Sequence, residues 1–166
     1  MSSVPSKSLR VGTLLAGIVV GVLLTGAAVW MAMPRMMLVV HESRHADVET
    51  TCQELKKAAE AAGWMVPAIR DMNASMAKQG VQHDPPVRIV ELCKAEYAHE
   101  VLTDNPEVST LMPCAYGVYE GADGKVYVTS MNMGLMGRMF GGTVSQVMSG
   151  KVAPEEQRIL AAVLRE

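Results

Sequence analysis

AYGVYEGADGKVYVTS, Ala115 to Ser130, decides how this chain folds. Two runs rich in β-branched and aromatic residues, 115–120 and 125–130, flank Gly121-Ala122-Asp123-Gly124. Such runs read as strands, and the glycine- and aspartate-rich tetrapeptide between them reads as a hairpin turn. Working outward, Val87–Cys93 is a nearly continuous apolar run and is expected to be a strand buried on both faces. Met37–Glu42 is expected to be a first strand. Trp64–Ile69 contains Pro67, which demotes that run to an edge strand or a bulge. Between these runs lie helical patterns. In Asp47–Ala62 the apolar residues Val48, Cys52, Leu55, Ala59 and Ala62 recur at helical spacing. Asp47 suits its N-cap, and Gly63 suits the position after its end. Met72–Lys78, Ala95–Thr103 and a Met-rich Gly134–Phe140 read as further short helices, and 105–113 as a loop. Gly141-Gly142 breaks the chain before a last helix with Pro154 at its start and Glu155 and Glu156 in its first turn. The order β-α-β-β-α-β-β, then helices, predicts an α+β two-layer sandwich. Its sheet is expected to be mixed, with about five strands and helices on one face.

The rest of the 166 residues narrows the class. At 49% hydrophobic and 19% charged, the chain has the composition of a packed globule and not of a disordered one. Residues 38–166 carry 12 basic and 17 acidic side chains, a formal charge of −5, which argues against nucleic acid as a partner. Three cysteines are too few for a disulfide scaffold. Fourteen methionines accompany a single phenylalanine.

Val11–Met33 is 23 residues without a charge or a proline, enough to cross a hydrocarbon core of about 30 Å. The expected organisation is therefore a tail over 1–10 on the cytoplasmic side, a transmembrane signal anchor over 11–33, and a globular domain over 38–166. A cleaved signal peptide is the rival reading, but its apolar region would be shorter. Lys7, Arg10 and the terminal amine outweigh Arg35 and Arg44 only slightly. That balance places the N-terminus inside and the domain outside, periplasmic at a bacterial inner membrane.

Chemistry centres on Cys93 and Cys114. Cys52 lies on the apolar stripe of its helix and reads as core. Cys93 closes the apolar strand just before a helix, where a thiol is accessible and a helix N-terminus favours its thiolate. Cys114 follows Pro113 at the mouth of the hairpin. Together they form a dithiol couple or a pair of soft ligands, or else are two unrelated core residues. Parallel neighbouring strands would hold the sulfurs roughly 20 Å apart, beyond disulfide reach. Antiparallel strands would let them meet. Met131, Met133, Met136 and Met139 cluster near the end of the hairpin. Thioether with thiolate selects Cu(I), whereas Met136 and Met139 at a spacing of three also suit a buried helix face. His41, on the first strand, is the best placed histidine. No CxxC, P-loop, GxGxxG or HExxH is present.

Several short motifs fall in one order: Ala62-Gly63-Trp64, Glu91-Leu92-Cys93-Lys94-Ala95, Leu111-Met112-Pro113-Cys114, Val118-Tyr119-Glu120, Asp123-Gly124-Lys125-Val126 and Ser130-Met131-Asn132. This order resembles the DUF302 family, a domain of unknown function, over roughly 38–165. The resemblance implies a compact α+β domain, often dimeric, sometimes behind a membrane anchor or beside redox or sulfur-metabolism modules. It implies no agreed activity. Many members resemble Asn-Pro near Cys93-Lys94, so a cysteine here marks a subset.

The expected function is a non-catalytic binding or redox-accessory module at the membrane. Cys93 and Cys114 would hold a thiophilic ligand (Cu(I), haem or a sulfane sulfur species), with His41, Met131 and Met133 as helpers. The alternative is a structural subunit of a larger membrane complex, with the cysteines in the core and the Met-rich segment 131–139 as contact surface. A thiol enzyme acting through Cys93 is a third reading, but no general base stands at recognisable spacing.

Overall fold

A computed structural model describes residues 7–165, with side chains from residue 15 onward. The expectation of a tail over 1–10 falls largely outside the described residues, as do the side chains of Lys7 and Arg10. The chain divides into two units, 1–36 and 37–166. The first is a helix, α1 (Lys7–Met37), that continues through Pro34. Its stretch Leu15–Met37 is long and apolar enough to cross a membrane. Within it, Thr25 Oγ1 donates to the Gly21 carbonyl at 2.8 Å, so the hydroxyl adds no unsatisfied polar group to the apolar surface.

The second unit is built on a five-stranded sheet in the order β1-β5-β4-β3-β2. Its strands are β1 (Leu38–Glu42), β2 (Ile69–Asp71), β3 (Val87–Leu92), β4 (Cys114–Glu120) and β5 (Val126–Met131). The expected hairpin pairs β4 with β5, Val118 opposite Val128. The sheet has the expected size, but every pairing is antiparallel, so it is not mixed. The helical links do not force parallel crossovers here, because β1 inserts beside β5 and β3 beside β4, each running opposite to its neighbour.

Burial follows the pleat. Val90, Leu92, Tyr116, Val118, Val126, Val128 and Ser130 point into the core, while alternate residues are more exposed. The apolar run in β3 is therefore buried on one face only, which corrects the two-faced expectation. An antiparallel sheet needs cover on a single side. On the open face Tyr119 stacks on Tyr127, ring centroids 5.7 Å apart, and Leu38 and Val40 are exposed.

Helices α2 (Val48–Ala61), α3 (Met72–Ala77), α4 (Ala95–Asp104), α5 (Met133–Phe140), α6 (Gly142–Val147) and α7 (Ala153–Leu160) complete the domain. Asp47 caps α2 by accepting from the Thr50 N–H at 2.9 Å. Gly63 follows its end at φ +77, where a side chain would be strained. The buried residues Val48, Cys52, Leu55 and Ala59 form the stripe that packs on β3 and β4. Three segments depart from expectation. The run from Trp64 is held by a single bridge, Met65 to Cys93, and pairs as a strand only from Ile69. Pro67 has no N–H to donate to a ladder. Residues Pro106–Leu111 form a 3₁₀ helix in the expected loop. Helical backbone also begins at Gly142, continues through a π-type turn (Met148–Val152) and passes into α7. Val144, Val147, Met148 and Val152 supply its buried stripe. Gly137 lets α5 approach this turn, since a Cβ there would meet the Ser149 backbone nitrogen at 3.0 Å.

Leu55 is fully buried in the middle of the α2 stripe. Leu55→Ala is expected to lower unfolding free energy by about 2–5 kcal/mol in denaturant titration, through the lost contacts and the cavity left behind.

Candidate functional site

The carboxyl end of β3 and the start of β4 meet at one end of the sheet. Leu92 is the register partner of Cys114, and Cys93 stands one position further along. The antiparallel alternative holds, and both thiols line one cavity of about 400 Å³. Both are free thiols. Burial pushes the Cys114 thiol up to about 12, and nearby Glu156 and Cys93 add to the rise. At neutral pH Cys114 is therefore a protonated thiol and a poor nucleophile. Cys52 is buried in the core, as its stripe position implied, and burial likewise pushes it up to about 12.

A polar cluster stands at the cavity wall, where Trp64, Lys94 and Tyr97 line it. Glu155, at the start of α7, accepts from Trp64 Nε1 at 2.7 Å, Tyr97 Oη at 2.7 Å and Lys94 Nζ at 2.8 Å. Lys94 also lies 4.7 Å from the Tyr97 ring centroid and 5.7 Å from that of Trp64. Burial pushes the Glu155 carboxyl up, but the bonds from Lys94, Tyr97 and Trp64 outweigh it and hold it below its ordinary value. Its hydrogen bond to Glu155 raises Lys94, and the same carboxylate raises Tyr97. The ionised pair thus ties α7 to α4 and to the segment after α2.

The neighbouring Glu156 has a different environment. Its carboxyl takes a hydrogen bond from Ser130 and is half-buried, and burial pushes it up to about 7. It lines a narrow void beside Cys114 and Tyr116, and also a pocket of about 240 Å³ beside His41. Burial, with Glu156 and Cys114 nearby, pushes the Tyr116 hydroxyl far above its ordinary value, so it stays protonated.

The five residues singled out from sequence are thus divided. Cys93 and Cys114 share the larger cavity. His41, Met131 and Met133 line the smaller one. Met133 alone among the three also reaches the void beside Cys114. Among the described residues no three His, Cys, Asp or Glu side chains converge on a common point. Sequence reading missed Trp64, Lys94, Tyr97 and Ser130 as site residues, and it read Glu155 and Glu156 only as helix-start charges. No local motif links these residues, so the sequence holds no signal that marks them as a group.

Residues 39–164 match the family described as domain of unknown function DUF302, and the chain belongs to that family. The crystal structure of an uncharacterized conserved DUF302 protein from Bacillus stearothermophilus is similar, with a TM-score of 0.64 at 18% identity. The match covers 77% of this chain and 96% of that one, and it supports the α+β fold. No curated protein matches the chain.

Two outcomes test the division between the glutamates. Glu155→Ala leaves Lys94 without its carboxylate and is expected to cost about 2–4 kcal/mol in denaturant unfolding. Glu156 binds its proton up to about pH 7 when folded but only to about 4.5 when unfolded. Between those values the folded state holds more protons, so stability falls as pH rises and levels off above 7. Glu156→Gln removes that slope. Its stability relative to the parent should rise from pH 5 to pH 8, by an amount on the order of 3 kcal/mol.

Proposed function

We propose that this chain is a membrane-anchored binding module that holds a small thiophilic ligand between Cys93 and Cys114. The observation that carries the reading is the pairing of β3 with β4, which brings two free thiols to one cavity of about 400 Å³. A cavity near the lower end of the usual ligand range suits a small soft species better than a macrocycle of haem size. Thiolates select Cu(I), which accepts a two-sulfur donor set without further His or carboxylate ligands. Lys94, Glu155 and Tyr97 would shape the mouth of the cavity and take no part in coordination. The apolar helix ending at Met37 supports anchorage, and the slight excess of positive charge before it in the sequence favours a domain on the periplasmic side of a bacterial inner membrane.

The chemistry fixes a pH dependence. Cys114 is a protonated thiol at neutral pH, so the metal must displace a proton. The full chain, reduced and in detergent, is titrated with Cu(I) against a chromophoric competitor. One equivalent is expected to bind, with affinity rising about tenfold per pH unit for each thiol proton displaced. Cys93→Ser and Cys114→Ser should each weaken binding by at least about tenfold. Unchanged binding in the double variant, or none in the parent, overturns the reading.

A further inference from the structure

The pocket between β1, β5 and α7 takes no part in that reading. It encloses about 240 Å³, below the range of drug-sized sites. Its polar side chains come from four places: His41 on β1, Ser130 on β5, Asn132 at the cap of α5, and Glu156 with Gln157 on α7. Val39, Met133 and Leu160 supply apolar wall. His41 and Ser130 share the inward face of the sheet, since Val39 pairs with Ser130 and His41 with Val128, which makes the two diagonal neighbours.

Glu156 is the singular feature. No lysine or arginine lines this pocket or the narrow void on the carboxyl's other side. The titratable groups that face it are His41 from β1 and Cys114 and Tyr116 from β4; Glu155, beside it on α7, is turned to Lys94, Tyr97 and Trp64. A half-buried carboxyl that accepts from one hydroxyl and faces no cation is costly to ionise. A glutamine of the same shape would satisfy Ser130 without that cost. The carboxylate therefore has a use if a positive charge enters the pocket.

We propose that this pocket binds a small organic ammonium ion, with the Glu156 carboxylate as counter-ion. The ammonium N–H groups donate to Glu156, to the Ser130 oxygen and to a His41 ring nitrogen, while a short apolar body lies on Val39, Met133 and Leu160. A metal ion fits less well, because His41 and Glu156 find no third His, Cys, Asp or Glu among the described residues. A quaternary ammonium fits less well too, because no Trp, Tyr or Phe ring lines the pocket.

The test uses the full chain in detergent micelles at fixed ionic strength, with n-butylammonium chloride as the probe and tetramethylammonium as its control. Calorimetry at pH 8 should show saturable binding of butylammonium only. Affinity should fall roughly tenfold at pH 6, as Glu156, at about 7, takes up its proton. Glu156→Gln should lose at least about tenfold at pH 8. In the parent protein, the carboxyl carbon resonance that titrates near 7 should shift its midpoint downward when butylammonium is added. That measurement decides the matter if Glu156→Gln does not fold. The proposal is overturned by no saturation up to about 10 mM, by equal binding of tetramethylammonium, by equal affinity in Glu156→Gln, or by an unmoved midpoint. Cu(I) titration reads the thiol cavity and butylammonium titration reads the Glu156 pocket, whose linings share no residue, so the two readings fail separately.

Discussion

The antiparallel pairing of β3 with β4 is the constraint from which the rest of the domain follows. Leu92 opposite Cys114 fixes where β3 stops relative to where β4 starts. Two elements 21 residues apart along the chain thereby end side by side. The same register puts Val90 and Leu92 on one face with Tyr116 and Val118, and that face carries the helices. Sheets with a period of two admit no compromise here, because a slip of one residue would turn the core face toward solvent. The cavity at the end of the pair, with both thiols on its wall, is a consequence of this register.

The start of α7 then shows how little separation a protein needs to give two identical side chains different chemistry. Glu155 and Glu156 are neighbours in sequence on one helical turn. Glu155 meets three donors, one of them a lysine, and stays ionised. Glu156 meets a single hydroxyl and no cation, and burial makes it hold its proton to about neutrality. Glu156 is the more deeply buried and has the fewer donors, so burial and donor charge together decide the outcome. The first ties α7 to α4 and to the segment after α2, beside the thiol cavity. The second stands between the thiol end of the sheet and the pocket under β1.

Membership of the DUF302 family accounts for the fold but brings no activity with it, so function must be argued from the sites. The thiols and the Glu156 pocket are separate, and they suit different chemistry. Soft sulfur donors lie in a largely apolar cavity, whereas a lone carboxylate with hydrogen-bonding neighbours lies in a smaller and more polar one.

Much of the architecture was legible in the sequence because its signals are local. The hairpin over 115–130, the α2 stripe with Asp47 as cap and Gly63 after its end, and the apolar span before residue 38 each depend on residues within a few turns of one another. The strand count and the helical cover on one face followed from that order. Strand direction did not, because helical links between strands serve antiparallel neighbours as well as parallel ones, and the hydrophobic run of β3 looks alike in both. The helical stretch from Gly142 was hidden because its stripe is short and begins at paired glycines. For the site, Cys93 and Cys114 stood out by residue type, but only the β3–β4 register could bring them to one cavity. Trp64, Tyr97 and Glu155 carry no common motif and meet across 91 residues of chain. Their contact is fixed by the packing of α7 on the rest of the domain, a long-range event that no local pattern encodes.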